Sequence, residues 1–245
     1  MVSLMKELHP WDLTPAEAVE LQKRLRGEVR LEPPARPIKT VAGADISFNK
    51  DEETIYVGIV VVRLVDGATV EQVGLVSTTR FPYVPGLLSF REAPAVLEAW
   101  RQLRTPPDAA MFDGQGIAHP RRLGIASHVG LWLETPTFGC AKSVLVGKYE
   151  EPAPERGSHS PLVDRGETVG VALRTKDRVN PVFVSAGHRL DLETAMALTL
   201  RSDGGYRQPE PTRRAHLLVN ALRRGEVPPG QRTLATDGEL PFVLE

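Results

Sequence analysis

A single cysteine, Cys140, occurs among the 245 residues. No intramolecular disulfide can form, and a cysteine-based zinc centre is excluded. Long apolar runs are missing too: the longest, 55–65, is interrupted by Arg63 and falls far short of a membrane span. Residues 1–13 carry Lys6, Glu7, His9 and Asp12 and no apolar stretch of signal-peptide length. These absences predict a cytoplasmic protein with no membrane partner. Excess charge of one sign is also lacking. The formal net charge is −1, so any nucleic-acid partner must be met by a local basic surface and not by a global field. Arginine supplies most of the positive charge, and its planar fork suits phosphate. No internal repeat is present.

What the chain does have is enough apolar content, 41%, to bury a substantial core. At this length one domain is expected over residues 1–227, with 228–245 as a loose tail. Thr14 is a plausible N-cap for a helix over 15–26, with Leu21 and Leu25 on one face. Pro33, Pro34 and Pro37 then impose an extended linker. Strands are predicted over 40–47, 54–64 and 69–78, the last two joined through Asp66-Gly67, a strong hairpin signal. A Pro-bracketed loop, Pro82-Tyr83-Val84-Pro85-Gly86, precedes a helix ending near Leu103. A short strand over 109–112 follows, then a helix over 119–133 with Pro120 in its first turn. Thr137 to Ala141 is another short strand. Residues 148–165, rich in Pro, Glu and Ser, are expected to form a loop. Strands over 167–174 and 182–185 and helices over 191–201 and 212–224 complete the prediction.

Three carboxylates stand in distinctive local frames: Asp45 in Gly43-Ala44-Asp45-Ile46-Ser47, Glu92 in Ser89-Phe90-Arg91-Glu92, and Asp113 in Asp113-Gly114-Gln115-Gly116. Asp45 and Asp113 close apolar strand-like runs, so both can point into one cleft at a sheet's edge. Oxygen ligands gathered in this way suit Mg²⁺, which takes few carboxylates and keeps several waters. Each residue has a plainer reading. Asp113-Gly114 can simply open a turn. Ser89-x-x-Glu92 has the form of a capping box, weakened by Pro94 in the same turn. Burying Asp45 in an apolar strand is costly, which favours a functional reason for it. The order βββαβαβ with helices last is that of a ribonuclease H-like α/β fold, a mixed sheet flanked by helices. In that topology the first and fourth strands lie side by side and parallel, which makes Asp45 and Asp113 neighbours.

The chain resembles the endonuclease V family. The resemblance is carried by Gly43-Ala44-Asp45-Ile46-Ser47, by the segment from Pro82 to Glu92, and by Asp113-Gly114-Gln115-Gly116. It continues through His119-Pro120-Arg121, Gly139-Cys140-Ala141-Lys142-Ser143, Val184-Ser185-Ala186-Gly187-His188 and Pro211-Thr212-Arg213-Arg214-Ala215-His216. Cys140 stands where a small aliphatic residue is expected, and Ala186 where proline is. The resemblance implies Mg²⁺-dependent nicking, with Mn²⁺ as a substitute, of DNA containing deoxyinosine. The cut falls at the second phosphodiester bond 3′ to the deaminated base, leaving 3′-hydroxyl and 5′-phosphate ends. Inosine-containing single-stranded RNA is an alternative substrate. A branched-DNA nuclease and a non-catalytic binding module are further alternatives; the first leaves Pro-Tyr-Val-Pro without a role, and the second is opposed by the presence of all three acids.

The resemblance also places Lys142 and His216 in the active site with Asp45, Glu92 and Asp113, and Asp45 and Asp113 on the metal. By sequence alone Lys142 could be a snorkelling surface lysine, and a lone His216 is most often structural. Tyr83, held between prolines, has little freedom to lose and can act as a wedge that replaces an extruded nucleotide; the plainer alternative is packing against the core. Gly114 and Gly116 would let backbone amides approach the flipped base, and His119 would line its pocket. A monomer is expected.

Overall fold

The computed structural model describes residues 5–49 and 52–233. All its strands join one nine-stranded sheet, ordered β6-β7-β8-β5-β4-β1-β2-β3-β9. The strands are β1 (Thr40–Phe48), β2 (Thr54–Arg63), β3 (Thr69–Thr78), β4 (Ala109–Phe112), β5 (Thr137–Ala141), β6 (His159–Asp164), β7 (Glu167–Leu173), β8 (Val182–His188) and β9 (Gly230–Thr233). The helices are α1 (Pro15–Leu25), α2 (Leu88–Trp100), α3 (Ile125–Leu133), α4 (Leu192–Arg201) and α5 (Glu210–Arg223). The meander β1-β2-β3 is antiparallel, whereas β4 runs parallel to both β1 and β5. This is the expected mixed sheet flanked by helices.

Alternation along β1 sorts the two layers. Ala42 and Ala44 join Ile55, Val57, Ile59, Phe112 and the apolar faces of α2 and α3 in the main core. On the opposite face α5 lies across the meander, packing Ala215, Leu218 and Leu222 against Val60 and Val62. Glycine permits this close approach. A Cβ on Gly43 would fall 2.0 Å from the Pro211 carbonyl, and one on Gly58 would fall 2.9 Å from the Ala215 oxygen. The smallest side chains therefore bring the start of α5 down onto β1, beside Asp45.

Several local expectations are corrected. The helix predicted over 119–133 begins only at Ile125. Residues before it form turns, in which Arg122 takes a left-handed φ of 57°. The Pro/Glu/Ser-rich segment 148–165 was expected as a loop, but its end forms β6, an edge strand whose Ser160 and Leu162 point inward. No capping box forms at Ser89. α2 starts at Leu88 without a side-chain cap, which places Ser89 inside the helix and frees Glu92 from that role. Of the expected tail, Gly230–Thr233 pair antiparallel with β3, and residues 234–245 lie outside the described residues. Among the described residues no helix is long and apolar enough to cross a membrane.

Candidate active site

Register decides the first feature of the site. Ala44 on β1 pairs with Phe112 on β4, so Asp45, still within β1, and Asp113, the residue after the end of β4, follow as neighbours on adjacent parallel strands. The Asp113 amide donates to the Ala44 carbonyl at 3.3 Å, continuing the ladder to that point. Asp45 shares its face of the sheet with Gly43, the α5 side, and there meets His216: Nδ1 to Oδ2 is 2.7 Å. Asn220, one turn further along α5, lies 3.1 Å from the other ring nitrogen. Lys142, just past the end of β5, places Nζ 2.6 Å from Asp113 Oδ2. Gln208, in the turn before α5, reaches the same oxygen at 3.5 Å. Arg207 braces that turn by donating to the carbonyls of Lys142, Asn180 and Pro181.

Glu92 comes from α2 and is buried, with 8% of its surface exposed. Desolvation pushes its carboxyl up to about 8, and the nearby charges of Asp45 and Asp113 add to the shift. Burial also raises Asp113, against the pull of Lys142. The three acids thus share one field, and two of them already carry a cationic or hydrogen-bonding partner. Among the described residues no three His, Cys, Asp or Glu side chains form a ready-made metal cage.

Beside this acidic cluster is a cavity of about 350 Å³. Asp113 and Lys142 belong to its wall together with Tyr83, Gly86, Ser89, Gly114, Gln115 and His119. The volume lies in the range of small-ligand sites. Tyr83 is 68% exposed at the rim, so it does not pack into the core. His119 is buried and neutral; desolvation, with Arg121 nearby, lowers its pKa to about 4. Its Nδ1 accepts from the Arg121 amide, so Nε2 carries the hydrogen and donates to the Gly86 carbonyl at 3.0 Å. Gln22 from α1 and the Arg121 guanidinium donate to that same carbonyl, at 3.0 and 2.7 Å. Gly86 itself sits at φ 78°, a conformation suited to glycine. One backbone oxygen thereby ties the Tyr83 loop to α1 and to the turns before α3. Gln115 donates from Nε2 to the Ser143 carbonyl, and among the described residues its buried Oε1 has no partner.

The sequence-predicted residues therefore fall into two groups and one exception. Asp45, Glu92, Asp113, Lys142 and His216 gather around the adjacent β1 and β4 acids, Glu92 from α2 and His216 from α5; Tyr83, Gly114 and His119 line the cavity. Gly116 is the exception. It is pressed against β8, where a Cβ would lie 2.0 Å from the Ala186 oxygen, and it is not part of the cavity wall. Gln22, Gln115 and Gln208 escaped the sequence reading because a glutamine in a helix or loop carries no pattern of its own.

The family model for Endonuclease V matches residues 22–217. The chain belongs to the Endonuclease V family. Endonuclease V of Myxococcus xanthus is 52% identical over 226 residues, covering 92% of this chain and 96% of that protein. The crystal structure of Endonuclease V from Streptomyces avermitilis superposes with a TM-score of 0.83 at 43% identity, covering 89% and 96% of the two chains. Endonuclease V from Ciona intestinalis, solved in complex with a 24mer DNA containing an inosine, is 26% identical with a TM-score of 0.76 and covers 86% and 98%. As a member of the Endonuclease V family the protein is an endonuclease, and its ribonuclease H-like architecture is the family's.

Proposed function

We propose that this member of the family acts on deoxyinosine in DNA as a single nuclease domain. It draws the deaminated base into the cavity and nicks the strand at the second phosphodiester bond 3′ to it. The products are 3′-hydroxyl and 5′-phosphate ends that open a DNA-repair reaction. The observation that carries this reading is adjacency: a recess fit for a small ligand shares Asp113 and Lys142 with the acidic cluster. The bound inosine DNA of the Ciona intestinalis relative supports the choice of substrate.

The donor set fits a divalent cation of the Mg²⁺ class, with Mn²⁺ as a substitute. Its oxygens are hard, and a cation beside Asp45 and Asp113 would favour the charged form of Glu92, which burial first and the two acids second now disfavour. Asp45 and Asp113 would hold the ion, with Glu92 completing the acidic set. When bound, such an ion polarises the phosphoryl oxygen and lowers the pKa of the attacking water. The chain's own groups do the rest. Lys142 steadies the scissile phosphate, and His216, oriented by Asp45 and Asn220, positions water beside it. Tyr83 fills the gap left by the extruded nucleotide, offsetting an extrusion cost of about a few kcal/mol. Its loop is held for that task by Gln22, His119 and Arg121. The protein works as a cytoplasmic monomer.

Incubation with 5′-labelled oligonucleotides tests the proposal. A single inosine should direct one nick in Mg²⁺ and none in chelator, and the matched undamaged strand should stay intact. Equal cutting of both strands, or cutting in chelator, would refute it. A single-stranded inosine RNA in the same series shows whether RNA is also cut.

A further inference from the structure

One hydroxyl in the cavity wall has its hydrogen already committed. Ser89 lines the cavity and is 2% exposed, and its Oγ lies 2.9 Å from Nδ1 of the fully buried His128. The other nitrogen of His128 faces His9 Nε2 at 2.8 Å. His9 sets the direction of every bond in this chain. Its Nδ1 is 2.8 Å from the Pro10 carbonyl, which can only accept, so Nδ1 carries the hydrogen. The indole N–H of Trp132 points at His9 Nε2 from 3.2 Å, so that nitrogen presents its lone pair. His128 must then donate from Nε2 and accept at Nδ1, and the donor to Nδ1 is the Ser89 hydroxyl. Burial lowers the pKa of both imidazoles, which keeps them neutral. Trp11 and Phe90 pack against both rings. Among the described residues no group donates back to Ser89 Oγ, and Ser89 belongs to the cavity wall.

We propose that His9 and His128 fix the Ser89 hydroxyl as a hydrogen-bond acceptor in the base cavity, and that this acceptor selects nucleobases bearing a ring N–H. Adenine presents a lone pair at N1. Its deamination product, hypoxanthine, presents N1–H at the same place. A free hydroxyl could rotate to serve either base, whereas one bound to His128 can serve only the deaminated base. Ser89 is the selecting group, and His9 and His128 are positioning residues that act through it. The proposal rests on reading the cavity as the base pocket.

The test compares affinity, in Ca²⁺, for duplexes carrying one inosine or one adenosine at the same position. Ser89→Ala should cut the inosine-over-adenosine preference by about tenfold, the upper range for one neutral hydrogen bond. Ser89→Thr, which keeps a hydroxyl, should retain most of it. His128→Leu should lower the preference by letting the hydroxyl rotate toward adenosine. Adding it to Ser89→Ala should cost no further preference, a non-additivity that mere destabilisation would not produce. His9→Ala, on the half-buried N-terminal segment, should cost roughly threefold and carries the test if the core variants do not fold. An unchanged preference in folded Ser89→Ala, or in His9→Ala where Ser89→Ala does not fold, overturns the proposal. A wild-type protein with no preference for inosine would overturn the base-pocket reading as well, so the two failures are distinguishable.

Discussion

The two halves of the site are built on opposite electrostatic plans. Around β1 and β4 charge is concentrated: Asp45, Asp113 and Glu92 share one field, and burial holds the Glu92 carboxyl at about 8. In the cavity wall, polarity is neutral and directional. His119 and His128 are both kept uncharged by burial, and each spends its hydrogen on a defined partner. In the proposed reaction charge suits the acidic end, where a cation and a phosphate would have to be managed. Fixed donors and acceptors would suit the cavity as the proposed base pocket, since adenine and hypoxanthine differ in their hydrogen-bonding groups at N1 and at the 6-position. The two regions meet at Asp113 and Lys142, so in the proposed reaction chemistry and recognition would adjoin without sharing their means.

The contrast can be broken most forcefully from the charged side. Asp45→Ala or Asp113→Ala should reduce nicking by about three powers of ten or more, while inosine-DNA binding in Ca²⁺ survives. Near-normal nicking by either variant in Mg²⁺ would remove the site assignment. From the cavity side, Tyr83→Ala should weaken inosine duplex binding by about tenfold or more, in line with base–aromatic stacking, and single-stranded substrate much less. Equal losses on both would make Tyr83 a residue of general contact and not a wedge.

A smaller effect concerns the acidic cluster in chelator. The Glu92 carboxyl is raised above its unfolded value, so its contribution to stability is complete below about pH 4.5 and is lost as pH rises through about 8. Melting temperature measured in chelator should therefore fall over that window, with Asp113 contributing in the same direction. Glu92→Gln should flatten the profile by up to one proton. An identical slope in wild type and variant would show that Glu92 does not carry the buried charge.

Legibility in the sequence followed the same division. The strand-end acids were readable because each closes an apolar run, and strand order alone made β1 and β4 parallel neighbours, as the register of Ala44 with Phe112 bears out. The cavity wall was harder. Its turns before α3 were predicted as helix, since Pro120 suits a first turn, and tertiary hydrogen bonds from His119 and Arg121 to Gly86 overrode that local preference. Ser89 and Glu92 fit a capping pattern that the structure does not use, because α2 starts two residues earlier, with Leu87 as its N-cap. Gly116 looked like a pocket glycine, yet the contact that demands its small size is β8. Periodicity reports which face a residue occupies; it does not report which distant carbonyl that residue will meet.

The division between chemistry and recognition is tested most directly at the lysine where the two regions touch. Single-turnover cleavage by Lys142→Ala should be measured on matched inosine and guanosine duplexes at saturating protein and Mg²⁺. The rate on inosine should fall by about two to three powers of ten, with the preference for inosine over guanosine unchanged. A collapse of that preference, with the guanosine rate intact, would place Lys142 in recognition and contradict the account.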